Sequence, residues 1–215
     1  MQPMSVSVRT PADDALDAVV SGTGDNPFAV LGPHRVIVDG RPALVVRTMQ
    51  PSASDVQLVT PARVFGMQRR RPEGVFEATV PLDGPPEEFV YWFRVREASE
   101  VRDVGDPYRF GPVLTDYDLH LFADGTHYRA WQRFGAHRMT IGHETGVHFA
   151  VWAPNAQRVS VIGDFNRWDG RTHAMRRLIP SGVWEIFIPD LADGMPYKYE
   201  VRTNAGHLLQ KADPY

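Results

Sequence analysis

One segment of the sequence combines residue types that recognise sugars. It reads Gly163-Asp164-Phe165-Asn166-Arg167-Trp168-Asp169-Gly170 and follows an apolar run typical of a strand. An indole ring exposed in a loop can stack on the apolar face of a pyranose, while amides and cations hydrogen-bond the hydroxyls. We therefore predict carbohydrate binding by Trp168, Asn166 and Lys198. The alternative is that Trp168 packs against its own domain or against a neighbouring one.

Other clusters of reactive side chains do not form a pattern that predicts catalysis. The sequence has no Gly-x-Ser-x-Gly elbow, no phosphate-binding glycine loop and no His-Glu-x-x-His motif. His143, Glu144 and His148 straddle a predicted turn, which favours structural or solvated roles. A calcium-loop spacing that starts at Asp164 is broken because Trp168 occupies the third ligand position. We expect no catalytic residue, no metal site and no cofactor.

Composition excludes several classes of protein. The chain has 215 residues, 43% hydrophobic and 23% charged, which is ordinary for a globular protein. The formal net charge of -3 gives no reason to expect a nucleic-acid partner. There is no cysteine, and no apolar run approaches the length of about 18 residues that a membrane span needs. We expect a cytoplasmic protein with no membrane partner and no disulfide.

The elements that must position these residues are short strands. With 18 Pro and 18 Gly the chain has too many helix breakers for a helical bundle. Only one early helix is indicated, by Thr10-Pro11 followed by acidic residues and apolar positions at helical spacing. Strands are predicted at residues 42–49, 55–60, 75–80, 89–96, 146–153, 158–163, 182–189 and 196–203.

The strands recur as a tandem repeat. Leu31-Gly32-Pro33-His34-Arg35-Val36 aligns with Phe134-Gly135-Ala136-His137-Arg138-Met139, and Asp106-Pro107-Tyr108 aligns with Asp213-Pro214-Tyr215. Further matches lie between them in the same order. Each unit has about 80 residues, which is enough for a small core of its own. The extra residues of the second unit fall in the segment that contains Trp168, so sugar binding is predicted for the second unit.

Alternation within the strands predicts the fold. Tyr197, Tyr199 and Val201 share one face of their strand, and Lys198 lies on the other. Antiparallel sheets with one buried face indicate an all-β protein of two tandem immunoglobulin-like β-sandwiches, with a short N-terminal helix and a partly helical connector. The predicted units are a leader at 1–25, a first sandwich at 26–115, a connector at 116–133 and a second sandwich at 134–215.

Several motifs together point to a known family. The second unit carries Trp152-Ala153-Pro154-Asn155-Ala156 and the loop that ends at Gly170-Arg171, followed by Tyr197-Lys198-Tyr199-Glu200 and Asp213-Pro214-Tyr215. It resembles the family 48 carbohydrate-binding module of bacterial glycogen (1,4-α-glucan) branching enzymes. The first unit is similar to the additional N-terminal module of the longer bacterial branching enzymes. Its matching motifs are Asn26-Pro27-Phe28, Val30-Leu31-Gly32, Asp106-Pro107-Tyr108-Arg109-Phe110-Gly111-Pro112 and Gly125-Thr126-His127.

The resemblance implies a function for the parent protein. Branching enzymes of glycoside hydrolase family 13 transfer an α-1,4-glucan segment to a 6-hydroxyl, using a (β/α)8 barrel that follows these modules. Such a barrel needs about 250 residues. We therefore expect this chain to be an N-terminal, non-catalytic fragment whose partners are an α-1,4-glucan (glycogen or maltooligosaccharide) and the downstream barrel.

The resemblance also implies site residues and their limits. Glycogen-binding relatives use a Trp that matches Trp168 and a Lys that matches Lys198. Their second Trp has no match here, where residues 204–208 form the corresponding turn, so weak binding is expected. Two alternative functions stay open: a free-standing glycan-binding adaptor, and a purely structural module that binds no sugar.

Overall fold

Short antiparallel strands joined by tight turns make up most of the molecule. The computed structural model describes residues 11–24, 26–82 and 84–215, in which the sheets form two β-sandwiches in tandem. The predicted all-β fold class with two helices is confirmed. Thr10, part of the predicted helix start, lies outside the described residues.

The first sandwich consists of two four-stranded antiparallel sheets. The strand orders are β1-β2-β6-β5 and β4-β3-β7-β8. Their facing side chains enclose a core that includes Val46, Leu58, Phe76 and Phe93. The strands are β1 (Gly32–Val38), β2 (Arg41–Met49), β3 (Asp55–Val59), β4 (Val64–Gly66), β5 (Gln68–Arg71), β6 (Val75–Pro81), β7 (Trp92–Glu97) and β8 (Glu100–Val104).

The second sandwich repeats this design with sheets β12-β13-β10-β9 and β11-β14-β15. In β14, Tyr199 is buried and Lys198 is exposed, which is the alternation predicted from the sequence. Its pairing register sets Lys198 opposite Ile162 of β11. The strands are β9 (Gly135–Ile141), β10 (Glu144–Trp152), β11 (Ala156–Gly163), β12 (Arg176–Leu178), β13 (Val183–Pro189), β14 (Tyr197–Thr203) and β15 (Leu208–Lys211).

The repeat extends to individual hydrogen bonds. The carboxylate of Asp106 accepts from the backbone N–H of Tyr108 at 2.9 Å, and that of Asp213 accepts from the N–H of Tyr215 at 2.9 Å. The sheet β1-β2-β6-β5 has the same order of equivalent strands as β9-β10-β13-β12. The duplication inferred from the sequence is therefore a duplication of structure.

The two helices lie at the N-terminus and between the sandwiches, as α1 (Pro11–Ser21) and α2 (Asp116–Ala123). A reciprocal capping box starts α2, because Thr115 Oγ1 accepts from the N–H of Asp118 and the Asp118 carboxylate accepts from the N–H of Thr115. Phe122 of α2 stacks on Phe134 with ring centroids 4.3 Å apart. The connector is thereby packed onto the second sandwich.

The N-terminal helix joins the two sandwiches. On one side, Arg71 of β5 forms ion pairs with Asp13 at 3.0 Å and with Asp17 at 2.8 Å. On the other, Arg202 of β14 donates to the carbonyl oxygen of Ser21 at 2.6 Å, at the end of the helix where backbone carbonyls lack helical partners. Helix α1 is therefore part of the interface.

A continuous apolar core crosses that interface. Leu16 of α1 and Tyr108 are buried in the same cluster as Phe149 and Trp184 of the second sandwich. Burial of apolar area is the main source of stability in such contacts. The two sandwiches consequently pack as one unit over this surface.

Candidate functional site

The predicted sugar-binding segment forms a tight loop after β11. Residues Asp164–Asn166 make one turn of 3-10 helix, and the chain then enters the left-handed region at Arg167 (φ 56°) and Trp168 (φ 59°). This conformation is unfavourable for residues that have a Cβ, so it persists only where surrounding contacts impose it. We refer to residues 164–170 as the 164–170 loop.

Asn166 is the internal brace of this loop. Its Oδ1 accepts from the N–H of Gly163 at 3.0 Å, and its Nδ2 donates to the carbonyl of Val161 at 2.8 Å. The same Nδ2 lies 2.9 Å from Nδ1 of His173. Burial, together with the nearby charge of Arg102, lowers the pKa of His173 to about 3, so the ring is neutral and its Nδ1 accepts.

This arrangement changes the role that the sequence suggested for Asn166. The side chain is only 4% exposed and both ends of its amide are already hydrogen-bonded. Its burial leaves little of the amide accessible to a sugar hydroxyl. Asn166 therefore shapes the loop, and Trp168 and Lys198 are the candidate sugar contacts.

Trp168 is held at the surface with its ring orientation fixed. Its indole Nε1–H donates to Oδ1 of Asp164 at 2.7 Å, and its backbone N–H donates to the carbonyl of Gly163 at 2.9 Å. The residue is 37% exposed. A partly exposed indole whose N–H is already hydrogen-bonded offers apolar ring surface that a stacking contact could use.

A groove of about 420 Å³ runs beside Trp168. Its floor and walls come from the loop, from the solvent face of the β11-β14-β15 sheet and from the end of α1. Gly170 lies against the Glu200 carboxylate, which would clash with any added Cβ. The lining residues include Val20, Ser21, Arg158, Arg167, Trp168, Gly170, Glu200, Arg202 and Leu208.

Paired charges line this groove. Arg158 forms an ion pair with Glu200, and Arg171 one with Asp169 at 2.6 Å. Burial raises the pKa of Asp169, but hydrogen bonds from the Arg171 side chain and backbone outweigh burial and hold it below its ordinary value. The groove therefore presents fixed, ionised donors and acceptors of the kind that hydrogen-bond hydroxyl groups.

Lys198 lies on the solvent face of β14, the face that also carries Glu200 and Arg202. The side chain is exposed and forms no hydrogen bond or ion pair with the residues that the structure describes. It is close in the register to the start of the loop, because its neighbour Tyr197 pairs with Gly163. Lys198 is not among the residues that line the groove beside Trp168.

Several groove residues were not predicted as site residues. The alternation that placed Lys198 outward could also have indicated Glu200 and Arg202. No local signal marks Leu208, which is 55% exposed in the terminal hairpin, or Ser21 of α1. Their presence depends on how the hairpin and the helix pack. Leu208 supplies an apolar surface from the β14-β15 hairpin to the groove.

The histidine and acidic clusters have structural partners. His148 is 3% exposed and its Nε2 donates to Glu185 at 3.1 Å. Glu185 also accepts from the backbone N–H groups of Val113 and Leu114, so the His148–Glu185 pair attaches the segment before α2 to the second sandwich. Within residues 11–24, 26–82 and 84–215, no group of three or more His, Asp or Glu side chains is arranged to hold a metal ion.

Among the described residues, neither helix has the length and apolarity required to cross a membrane.

The fold and the exposed loop tryptophan define a class of protein, and comparison with known families agrees. Residues 133–215 match the family described as carbohydrate-binding module 48 (isoamylase N-terminal domain). This match covers β9 to β15, the 164–170 loop and Lys198. The second sandwich is therefore a carbohydrate-binding module of this family.

Residues 12–108 match the family described as the N-terminal domain of the alpha-1,4-glucan branching enzyme GlgB. The 1,4-alpha-glucan branching enzyme GlgB of Gloeobacter violaceus is 48% identical over 202 residues, or 93% of this chain and 27% of that protein. The enzyme of Rhodospirillum rubrum is 48% identical over 207 residues, or 94% of this chain and 28% of that protein. The chain thus carries the two modules that these family models describe, the GlgB N-terminal domain and carbohydrate-binding module 48.

The chain thus spans about a quarter of the length of the curated relatives it matches. Among solved structures, a pullulanase type I from Bacillus subtilis in complex with maltose is similar at 21% identity and a TM-score of 0.32. That similarity covers 86% of this chain and 25% of the pullulanase chain.

Proposed function

We propose that this chain is the α-glucan-binding and positioning region of a 1,4-alpha-glucan branching enzyme. In this proposal Trp168 stacks on a glucose ring of glycogen or of a maltooligosaccharide, and Lys198 hydrogen-bonds its hydroxyls. The observation that carries the proposal is the indole of Trp168, which is 37% exposed beside a groove and hydrogen-bonded to Asp164.

The expected affinity is low. A single aromatic platform contributes about 0.5–1.5 kcal/mol beyond the area that it buries. Each well-placed hydrogen bond to a hydroxyl adds a net contribution of about 0.5–1.5 kcal/mol. Association itself costs free energy. These contacts therefore support a Kd of about millimolar to high micromolar.

The proposal assigns no chemical step to this chain. We propose that the branching reaction of the parent protein takes place in a catalytic domain outside this sequence. The two sandwiches, together with α1 and the connector, would then form a rigid scaffold that holds bound glucan. The shared core across the two sandwiches supports this scaffold role.

The binding part of the proposal is tested by NMR titration of the chain with maltoheptaose. Each tryptophan gives its own indole N–H signal. We expect the Trp168 signal to shift as maltoheptaose is added and the shift to reach a plateau. Replacing Trp168→Ala should weaken binding about tenfold or more, since a loss of about 1.4 kcal/mol corresponds to a factor of ten. Binding that is unchanged in this variant would rule out the Trp168 site.

Trp131→Ala is the matched control. Trp131 is 62% exposed but lies in the connector, away from the groove, so its removal should leave the affinity unchanged. The absence of chemistry has its own test. Incubation of the chain with amylose should leave the iodine-stain spectrum unaltered, and a shift of that spectrum would contradict the proposal.

A further inference from the structure

An acidic residue of the first sandwich reaches the 164–170 loop of the second. Glu97 is the last residue of β7 and only 5% exposed. Its Oε2 lies 2.6 Å from Nη2 of Arg167, which directly precedes Trp168. The Glu97 carboxylate therefore reaches across the interface between the sandwiches. It contacts the side chain of Arg167, the residue before Trp168, which is the proposed sugar-stacking residue.

A second contact from the first sandwich reinforces the first. Arg102 of β8 lies 3.4 Å from Oε1 of Glu97, and its Nη1 donates to the carbonyl of Phe165 at 3.4 Å. The β7-β8 edge thus holds the loop at two positions, one on either side of Asn166. Glu97 is almost fully buried, and its charge is compensated by these two guanidinium groups.

The loop needs such external support because of its backbone. Arg167 and Trp168 are consecutive left-handed residues with a Cβ, a conformation that isolated chains populate rarely. Inside the loop, the carbonyl of Asp164 accepts from the N–H of Arg167 at 3.2 Å, at the upper end of the usual range for such bonds. The ion pair to Glu97 fixes the Arg167 side chain from outside the loop. It thereby limits the backbone conformations that the loop can adopt.

We propose that Glu97 is a positioning residue of the carbohydrate site, and that the first sandwich is part of this site although it does not contact sugar. Glu97 acts through Arg167 to hold Trp168 in its stacking orientation. This inference rests on the proposed role of Trp168 in sugar binding. It gives the first sandwich a function in glucan recognition beyond that of a spacer.

The test uses Glu97→Gln, which keeps the shape of the side chain and removes its charge. Glu77→Gln is the matched control, because Glu77 forms an ion pair with Arg47 at 2.7 Å within the first sandwich. Maltoheptaose affinity and amide hydrogen exchange are measured by NMR for both variants. The amide of Trp168, which donates to the carbonyl of Gly163, reports directly on the order of the loop.

We expect Glu97→Gln to raise the Kd about threefold to tenfold and to speed exchange of the Trp168 amide by a similar factor, the range of coupling between residues in contact. The control Glu77→Gln should change neither quantity. A purely structural ion pair would instead lower the melting temperature of both variants while leaving the Kd and the exchange of Trp168 unchanged.

The outcomes separate this inference from the proposed function. If Trp168→Ala weakens binding and Glu97→Gln does not, the positioning role is overturned and the sugar site stands. If neither variant affects binding, the proposed site fails, and amide exchange still decides whether Glu97 orders the loop. Should Glu97→Gln fold poorly, Arg167→Gln breaks the same ion pair from its half-exposed end. Unchanged exchange of Trp168 in that variant also overturns the inference.

Discussion

The hydroxyl of Tyr108, at the end of the first sandwich, donates to the carbonyl oxygen of Thr172 in the second at 2.9 Å. The same hydroxyl accepts from the N–H of Ala174 at 3.1 Å. Thr172 and Ala174 lie directly after the 164–170 loop and beside β11. One tyrosine therefore joins the end of the first sandwich to the segment that supports the candidate sugar site.

Removing this hydroxyl should destabilise the protein. Tyr108→Phe keeps the buried ring but leaves the Thr172 carbonyl and the Ala174 N–H without their partner, a loss of about 1–3 kcal/mol in the free energy of unfolding. Urea denaturation measures the change. Tyr117→Phe, at a position that is 68% exposed, is the control and should stay within about 0.5 kcal/mol. Equal stability of the two variants would contradict the bridging role of Tyr108.

The hydrogen bond from the indole of Trp168 to Asp164 should matter for affinity. Asp164→Ala removes the acceptor and frees the ring, so we expect the Kd for maltoheptaose to rise about twofold to tenfold, as for one hydrogen bond. Asp164→Asn keeps an acceptor oxygen at the same position and should bind like the wild type. If both variants bind equally well, the orientation of the ring does not limit binding.

Asn166 should act on stability first and on binding as a consequence. Asn166→Ala leaves the buried N–H of Gly163 and the carbonyl of Val161 without their side-chain partner, which costs about 1–3 kcal/mol. Thermal and urea unfolding measure the loss, and exchange of the Trp168 amide should accelerate. An Asn166→Ala variant with wild-type stability and weakened binding would instead restore the direct sugar contact that the sequence suggested.

Much of this architecture is predictable because the repeat and the strand alternation are both visible in the sequence itself. The parity of Tyr199 and Lys198 in β14 and the aligned Asp106 and Asp213 indicated two sandwiches with known faces. Strands β1 and β9 lie in the best-aligned motifs but were not predicted as strands. Both begin with a glycine and carry polar residues toward solvent, so their alternation is weak.

The site was only partly predictable, because its construction depends on contacts between distant segments. Trp168, Asn166 and Lys198 were predicted from the composition of the loop and from the outward position of Lys198 in its strand, and the resemblance pointed to Trp168 and Lys198 as well. The burial of Asn166 against Val161 and the reach of Glu97 across the interface leave no mark at these positions in the sequence. A side chain in a loop motif can stabilise the loop itself instead of contacting a ligand.

Acid pH should destabilise the protein through His173. Burial lowers the pKa of this imidazole from 6.5 to about 3 in the folded state, whereas the unfolded chain regains the ordinary value. Between these pH values the unfolded state binds more protons, so stability falls as the pH falls, by at most about 1.4 kcal/mol per pH unit. Protonation would also end the role of Nδ1 as acceptor for Asn166 and so disturb the base of the 164–170 loop.

Another buried group acts in the opposite direction and determines the design of the experiment. Burial raises the pKa of Asp106 from 3.8 to about 6, so the folded state binds the extra proton there and gains stability as the pH falls through that range. The wild-type curve alone mixes both effects. The free energy of unfolding of His173→Gln, taken relative to the wild type at each pH, isolates the histidine. This difference should shift in favour of the variant from pH 7 to pH 4, and His207→Gln controls for the loss of a surface histidine. A difference that stays constant over this range would show that His173 takes up no proton on unfolding, and that its imidazole does not link the loop to pH.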